Sequence, residues 1–203
     1  RWAKDRGVCH AAKGHLSPYG WTLLTIYFLQ VGVEEEGPLL PPLEHFERSS
    51  GLMQGEPGQP KATRPKWTPA AGNKTVGALF KELMNFYTKT FDFRNEAVSV
   101  RQGKRAPAGL QLPLHVVVDE DGKTTKVAPS VEDPFDRQRN LGDCATSASL
   151  ARLHEELARA REFCERDATL TELLEPWVPP ERAAEQDEGD EGAAEPPAAA
   201  RAP

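Results

Sequence analysis

Residues Val131–Gly142 read VEDPFDRQRNLG. Val131 and Glu132 continue a β-like run, and Pro134, which has no N–H to give a sheet, stops it. A plain connection needs one or two turn residues. Here three acids and two arginines surround a fixed phenylalanine within twelve residues. Such a loop reads as one built to hold a ligand. The expectation is that Phe135 anchors it to the core while Asp133, Asp136 and Arg139 face a pocket.

The segments on either side set the frame for this loop. After it, 143–166 reads as a long helix with Leu150, Leu153, Leu157 and Cys164 as its inward stripe. The stretch TLTELLEPW (169–177) reads as a short helical piece. Before the loop, LHVVVDEDGKTTKV (114–127) reads as a hairpin turning at Asp119–Gly122, and AVSVR (97–101) as a strand. From Thr75 onward, the residues Val76, Leu79, Phe80, Leu83, Phe86 and Tyr87 recur at three- and four-residue steps. That spacing predicts an amphipathic helix. Ser17 as N-cap and Pro18 at the first helical position open another helix, apolar on nearly every side and therefore buried. It is too short to cross a bilayer. RWAKDRG at the start reads as the end of a helix already under way, so the chain is treated as a piece of a longer protein.

The 203 residues carry a net charge of −6. From Pro179 onward there are seven acids against two basic residues, so the rest is close to balance and is not repelled by nucleic acid as a whole. Cys9, Cys144 and Cys164 form no CxxC pair and no even disulfide framework. A reducing compartment fits them, the cytoplasm being expected and the mitochondrion the alternative. Asn73-Lys74-Thr75 matches a glycosylation acceptor but reads better as a helix start. His10 and His15 beside Cys9 lack zinc-ligand spacing, so no metal is assigned to them. The expected architecture is a mainly helical α+β domain over 1–166, with buried helices and a small antiparallel sheet. It carries a disordered insertion at 44–72, a short helical extension at 167–178 and a disordered acidic Ala/Pro tail at 179–203.

RWAK, LSPYG, LFKELMNFYTKTFDF and VEDPFDRQRNLG, in this order, resemble four segments of terminal uridylyltransferases and noncanonical poly(A) polymerases. These belong to the polymerase-β-like nucleotidyltransferases, and the resemblance, to their central PAP-associated domain, covers roughly 1–166. It implies a domain that recognises the incoming nucleotide of a template-independent RNA 3′-end nucleotidyltransferase. Lys4 would reach the phosphates, Tyr19 would lie under the base, and Asp133, Asp136 and Arg139 would surround the base edge. Ser17, at a helix N-terminus whose free N–H groups suit a triphosphate, joins them. Taken singly, each has a plainer reading: Tyr19 as core, Lys4 as a helix-end cation, Asp133 as a turn former. The joint occurrence carries the resemblance.

Two positions depart from the family pattern. Pro18 replaces a second serine that would contact the terminal phosphate. Arg139 stands where many uridylyltransferases have a histidine that contacts uracil. A guanidinium only donates; it matches uracil O4 and opposes the amino group of adenine. UTP is therefore the expected donor and ATP the alternative.

The family holds two Mg²⁺ or Mn²⁺ ions on three carboxylates, two of them Asp-x-Asp on a strand. Asp119 and Asp121 read as a hairpin turn instead, because no Gly-Ser helix start precedes them and Gly122 follows. The metal site is thus expected in an N-terminal catalytic domain outside this chain. The expected partners are UTP or ATP, an RNA 3′ end and that domain, with no membrane. A noncatalytic RNA-binding relative remains the rival reading, and a helical interaction domain with accidental motif matches a third.

Overall fold

The first helix is one turn, α1 (Trp2–Asp5), followed by a 3-10 turn at Ala11–Lys13 and by α2 (Pro18–Val31). Then come α3 (Val76–Asn85), a π-helical turn at Phe86–Thr90, and the strands β1 (Ala97–Val98), β2 (Val116–Val118), β3 (Thr125–Val127) and β4 (Ser130–Val131). The chain continues through α4 (Ser147–Glu165) and α5 (Leu170–Leu174). This computed structural model describes residues 1–33, 37–43, 73–105, 116–118, 125–127 and 129–179. The insertion expected at 44–72, the hairpin turn at Asp119–Gly122 and the tail from 180 onward lie outside the described residues.

The cap signals are realised atom by atom. Ser17 Oγ accepts from Gly20 N at 3.0 Å and Thr75 Oγ1 from Ala78 N at 3.2 Å, each satisfying an N–H that the helix itself leaves open. The helix α4 begins at Ser147 instead of the expected 143, because Thr146 and Ser149 form a reciprocal capping box. Leu150, Leu153 and Leu157 point inward as expected. Cys164 is only half-buried, and Glu156 and Ala160 complete the inner face in its place. Val76 is 84% exposed, since it occupies the first turn of α3, beyond the edge of the core.

The core gathers around α2, where Leu23, Leu24, Tyr27 and Phe28 are buried. Against them the chain presents Phe86, Tyr87, Phe91 and Phe93, with neighbouring ring centroids 4.9–6.4 Å apart and mostly edge-on or tilted. The π-helical turn makes this possible. Phe91 N donates to Phe86 O at 2.8 Å, and the added residue in that turn brings Phe86, Tyr87 and Phe91 to one face. Buried phenols are satisfied: Tyr87 Oη donates to Leu24 O at 2.7 Å and Tyr27 Oη to Lys104 O at 3.2 Å. Burial pushes the Tyr27 phenol up to about 12.

The sheet departs from expectation. Strand β1 pairs with β4 in parallel, with Ala97 opposite Ser130 and Val98 opposite Val131. Strands β2 and β3 form the expected antiparallel hairpin, as a separate pair. The hairpin lies between β1 and β4 in sequence, so the chain goes out and returns in the same direction, as a parallel partner must.

Both ends of the described fold are joined by one buried ionic cluster. Arg6 donates twice to Glu156, Nε to Oε2 at 2.7 Å and Nη2 to Oε1 at 2.9 Å. Arg152 Nη2 lies 2.6 Å from the same Oε1. Burial alone would push the Glu156 carboxyl up; the hydrogen bonds and charges of Arg6 and Arg152 outweigh it and hold the group below its ordinary value. A carboxyl depressed in the fold stabilises it fully above its unfolded value of about 4.3, and that stabilisation is lost as the pH falls through the folded value. Glu156→Ala strands two guanidinium groups and should cost about 3–5 kcal/mol in urea unfolding at pH 7. The difference between wild type and variant should shrink as the pH is taken below about 4.

Candidate functional site

The loop after β4 is held by its acids and amide, and its aromatic residue takes no part. Glu132 is 2% exposed and accepts from Arg101 Nη2 at 2.8 Å, from Arg101 Nε at 3.2 Å and from the Ser99 hydroxyl. Its N–H donates to Val98 O at 2.9 Å, which ties the loop to β1. Asn140 Oδ1 accepts from Val131 N and from Gly142 N, both at 2.9 Å, closing the far side. Gly142 is obligatory there, because a Cβ would stand 1.7 Å from Pro129 O. Phe135, expected to be the anchor, is 83% exposed. The reason is local: Asp133 Oδ1 accepts from Phe135 N at 3.0 Å, an Asx-turn that throws the next side chain outward.

Asp133 is the loop's other buried acid, 5% exposed, and both of its oxygens are engaged. Tyr19 Oη approaches Oδ1 at 3.5 Å across 114 residues of chain, at the long limit of a hydrogen bond. Arg139 Nη1 lies 3.6 Å from Oδ2, with the arginine side chain 63% exposed. Partial burial, the Asp133 charge and the phenol's own hydrogen bond to Asp133 raise the Tyr19 phenol above its ordinary value, against the opposing pull of Arg139. The phenol is thus a neutral donor, its ring 38% exposed at the start of α2. Beside it runs an open, almost wholly apolar groove of about 290 Å³, bordered by Tyr19, Ile26, Leu40, Pro134 and Phe135.

The structure brings Tyr19, Asp133 and Arg139 together. Ser17 sits two residues before Tyr19, its hydroxyl oxygen accepting from the Gly20 N–H and its own proton still free to donate. Asp136 is exposed and shapes the loop tip, its Oδ1 accepting from Gln138 N at 3.2 Å and its carbonyl from Arg139 N at 3.0 Å. Lys4 is exposed on α1; its charge acts on the half-buried Cys9 thiol, which burial raises more than Lys4 lowers it. Among the described residues, no hydrogen bond or ion pair joins Lys4 to the tyrosine cluster. Sequence reasoning assigned no role to Glu132, Asn140 or Gly142. The available signal was the pairing of two acids with Asn-x-Gly at the two ends of one short loop.

Among the described residues, no group of three or more His, Cys, Asp or Glu could hold a metal ion. The arrangement offers a flat ring, a shared carboxylate and a partly solvated guanidinium, groups that can recognise a planar polar group. Two substitutions check how the loop is held. Phe135→Ser should change stability by less than about 0.5 kcal/mol, as expected of an exposed side chain. Glu132→Ala should cost about 3 kcal/mol, because it removes charged hydrogen bonds from a buried site. Thermal or urea melts of the two variants distinguish an acid anchor from an aromatic one.

Residues 75–139 match the model of the Cid1 family poly A polymerases. Terminal uridylyltransferase 4 of Homo sapiens is 29% identical over 150 residues, covering 70% of this chain and 8% of that protein. Poly(A) RNA polymerase cid13 of Schizosaccharomyces pombe is 30% identical over 169 residues, covering 78% of this chain and 26% of that protein. In fold, the chain resembles Cid1 in complex with the UTP analog UMPNPP, with a TM-score of 0.60 and 22% identity over 87% of this chain and 55% of the other. The chain thus spans about a quarter or less of these two relatives and about half of the Cid1 structure. By these sequence matches the chain belongs to the PAP-associated domains of the Cid1 family, the family of terminal uridylyltransferases and noncanonical poly(A) polymerases.

Proposed function

We propose that this chain is the nucleotide-recognition part of an RNA 3′-end nucleotidyltransferase that uses UTP. The observation that carries the reading is the meeting of Tyr19, Asp133 and Arg139 from segments 114 residues apart. The exposed ring of Tyr19 is the stacking platform, suited to any base. Asp133 orients both neighbours: it takes the phenol on one oxygen and the guanidinium on the other. Arg139, donor-only and mostly in solvent, supplies the base discrimination, and its match to uracil O4 favours UTP over ATP. Lys4 on α1 and Ser17, the cap of α2, are the groups proposed for the phosphates, with Asp136 at the rim. Attack by an RNA 3′-hydroxyl, and the Mg²⁺ or Mn²⁺ that supports it, belong in this reading to a catalytic domain outside the chain.

The relatives include both uridylyl- and poly(A)-adding proteins, so base choice is the decisive measurement. In the intact enzyme, with UTP and ATP competing for one short RNA, Arg139→Ala should lower the UTP/ATP ratio of kcat/KM by roughly tenfold to a hundredfold, the worth of a charged hydrogen bond. Tyr19→Ala should weaken both nucleotides alike. An Arg139→Ala enzyme that loses activity equally on both would place Arg139 on phosphate or RNA and remove the support for UTP.

A further inference from the structure

The C-terminal extension grips the segment that carries Lys4. A four-residue helix is one turn, and one turn does not repay its own nucleation cost, so α1 depends on outside contacts. At one side Trp2 is buried edge-on against Trp21, with ring centroids 5.6 Å apart. At the other, the carbonyls that end the turn need donors from elsewhere. Trp177 N donates to Asp5 O at 2.9 Å, and Arg152 Nη2 donates to Arg6 O at 3.1 Å. Arg6 Nη1 in turn donates to Glu175 O at 2.6 Å. The Arg152 guanidinium lies 4.2 Å from the centre of the Trp177 ring, a cation–π contact that fixes the indole. Directly after α1 the chain reverses at Gly7 with φ +71°, and a Cβ there would stand 3.0 Å from Trp177 Cε3. The indole therefore packs directly against the reversal, three residues beyond Lys4.

We infer that Trp177, held by Arg152, is a positioning residue for Lys4 and so for the triphosphate of the incoming nucleotide. The inference rests on the reading of Lys4 as a phosphate contact given above. Lys4 is exposed, its N–H and C=O are bonded to Arg1 O and Gly7 N, and among the described residues its ammonium has no hydrogen bond or ion pair, so the backbone sets where the ammonium can reach. The bonds from Arg152 on α4 and from Trp177 in the extension fix that backbone. Trp177 lies beyond residues 75–139, the stretch matched by the family model.

The test is a binding series on the full 203-residue chain, with UTP and uridine as probes followed by NMR titration. Lys4→Ala should weaken UTP about tenfold and uridine far less, as expected when one charged contact to phosphate is lost. Trp177→Ala should weaken UTP several-fold and leave uridine unchanged. The double variant should be no weaker than Lys4→Ala, because the two act through one contact. Trp177→Phe, which keeps a ring for Arg152 and Gly7, should recover most of the loss. If Trp177→Ala melts at the titration temperature, Trp177→Leu keeps the apolar cover without the ring face and serves in its place. Losses that multiply, or a UTP/uridine ratio untouched at Trp177 while Lys4→Ala lowers it, overturn the positioning role alone. A ratio untouched by Lys4→Ala overturns the phosphate reading itself.

Discussion

The structure depends on the buried contact between Arg6 and Glu156. The two residues are 150 positions apart, and both are almost wholly removed from water. Taking a guanidinium and a carboxylate out of water costs several kcal/mol each, so the pair is stable only where close geometry and further charged hydrogen bonds offset that cost. Here the second guanidinium, Arg152, shares the carboxylate, and Arg6 also reaches the Glu175 carbonyl. The beginning of the chain, the long helix α4 and the extension after it are thus closed by one set of charged hydrogen bonds. Apolar packing alone would allow these three to slide; paired charges in a low dielectric permit one register.

The same logic recurs in the loop around Asp133. Glu132 and Asp133 are adjacent acids, both buried, and they do opposite things. Glu132 faces inward, to Ser99 and Arg101, and holds the loop to β1. Asp133 faces the other way and gathers Tyr19 and Arg139. Adjacent residues of an extended chain point to opposite faces, so one acid can anchor while its neighbour organises the surface. Asn140 and Gly142 close the loop behind them. The exposed Phe135 and the apolar groove beside Tyr19 are consequences of this arrangement, since the acids occupy the interior positions.

Beneath the loop, the aromatic cluster gives α2 a stiff bed. The π-helical turn at Phe86–Thr90 is what turns Tyr87 and Phe91 toward Tyr27 on α2. Because α2 starts at Pro18 with Ser17 as its cap, that bed also fixes where Tyr19 emerges. The position of the ring thus follows from packing several turns away, and the phenol needs only one partner, Asp133, to set its tilt.

The sequence by itself determined those features that rest on local chemistry. Ser17-Pro18 and Thr75 mark helix starts because a side-chain oxygen can serve an open N–H wherever the chain goes next. The stop at Pro134 and the inward leucines of α4 follow from the missing N–H and from helical spacing. The ordered motif segments, read together, were enough to recognise the family. Tertiary structure decided what depends on the partner across the fold. It made β1 and β4 parallel, put Phe135 in solvent and Glu132 in the interior, and left Val76 outside and Cys164 half-buried. It also joined Arg6 to Glu156 and Trp177 to the end of α1. Charge and hydrophobicity predict where a residue goes only on average. A buried acid is stable once a guanidinium 31 or 150 residues away comes to meet it, and no local window of sequence contains that guanidinium.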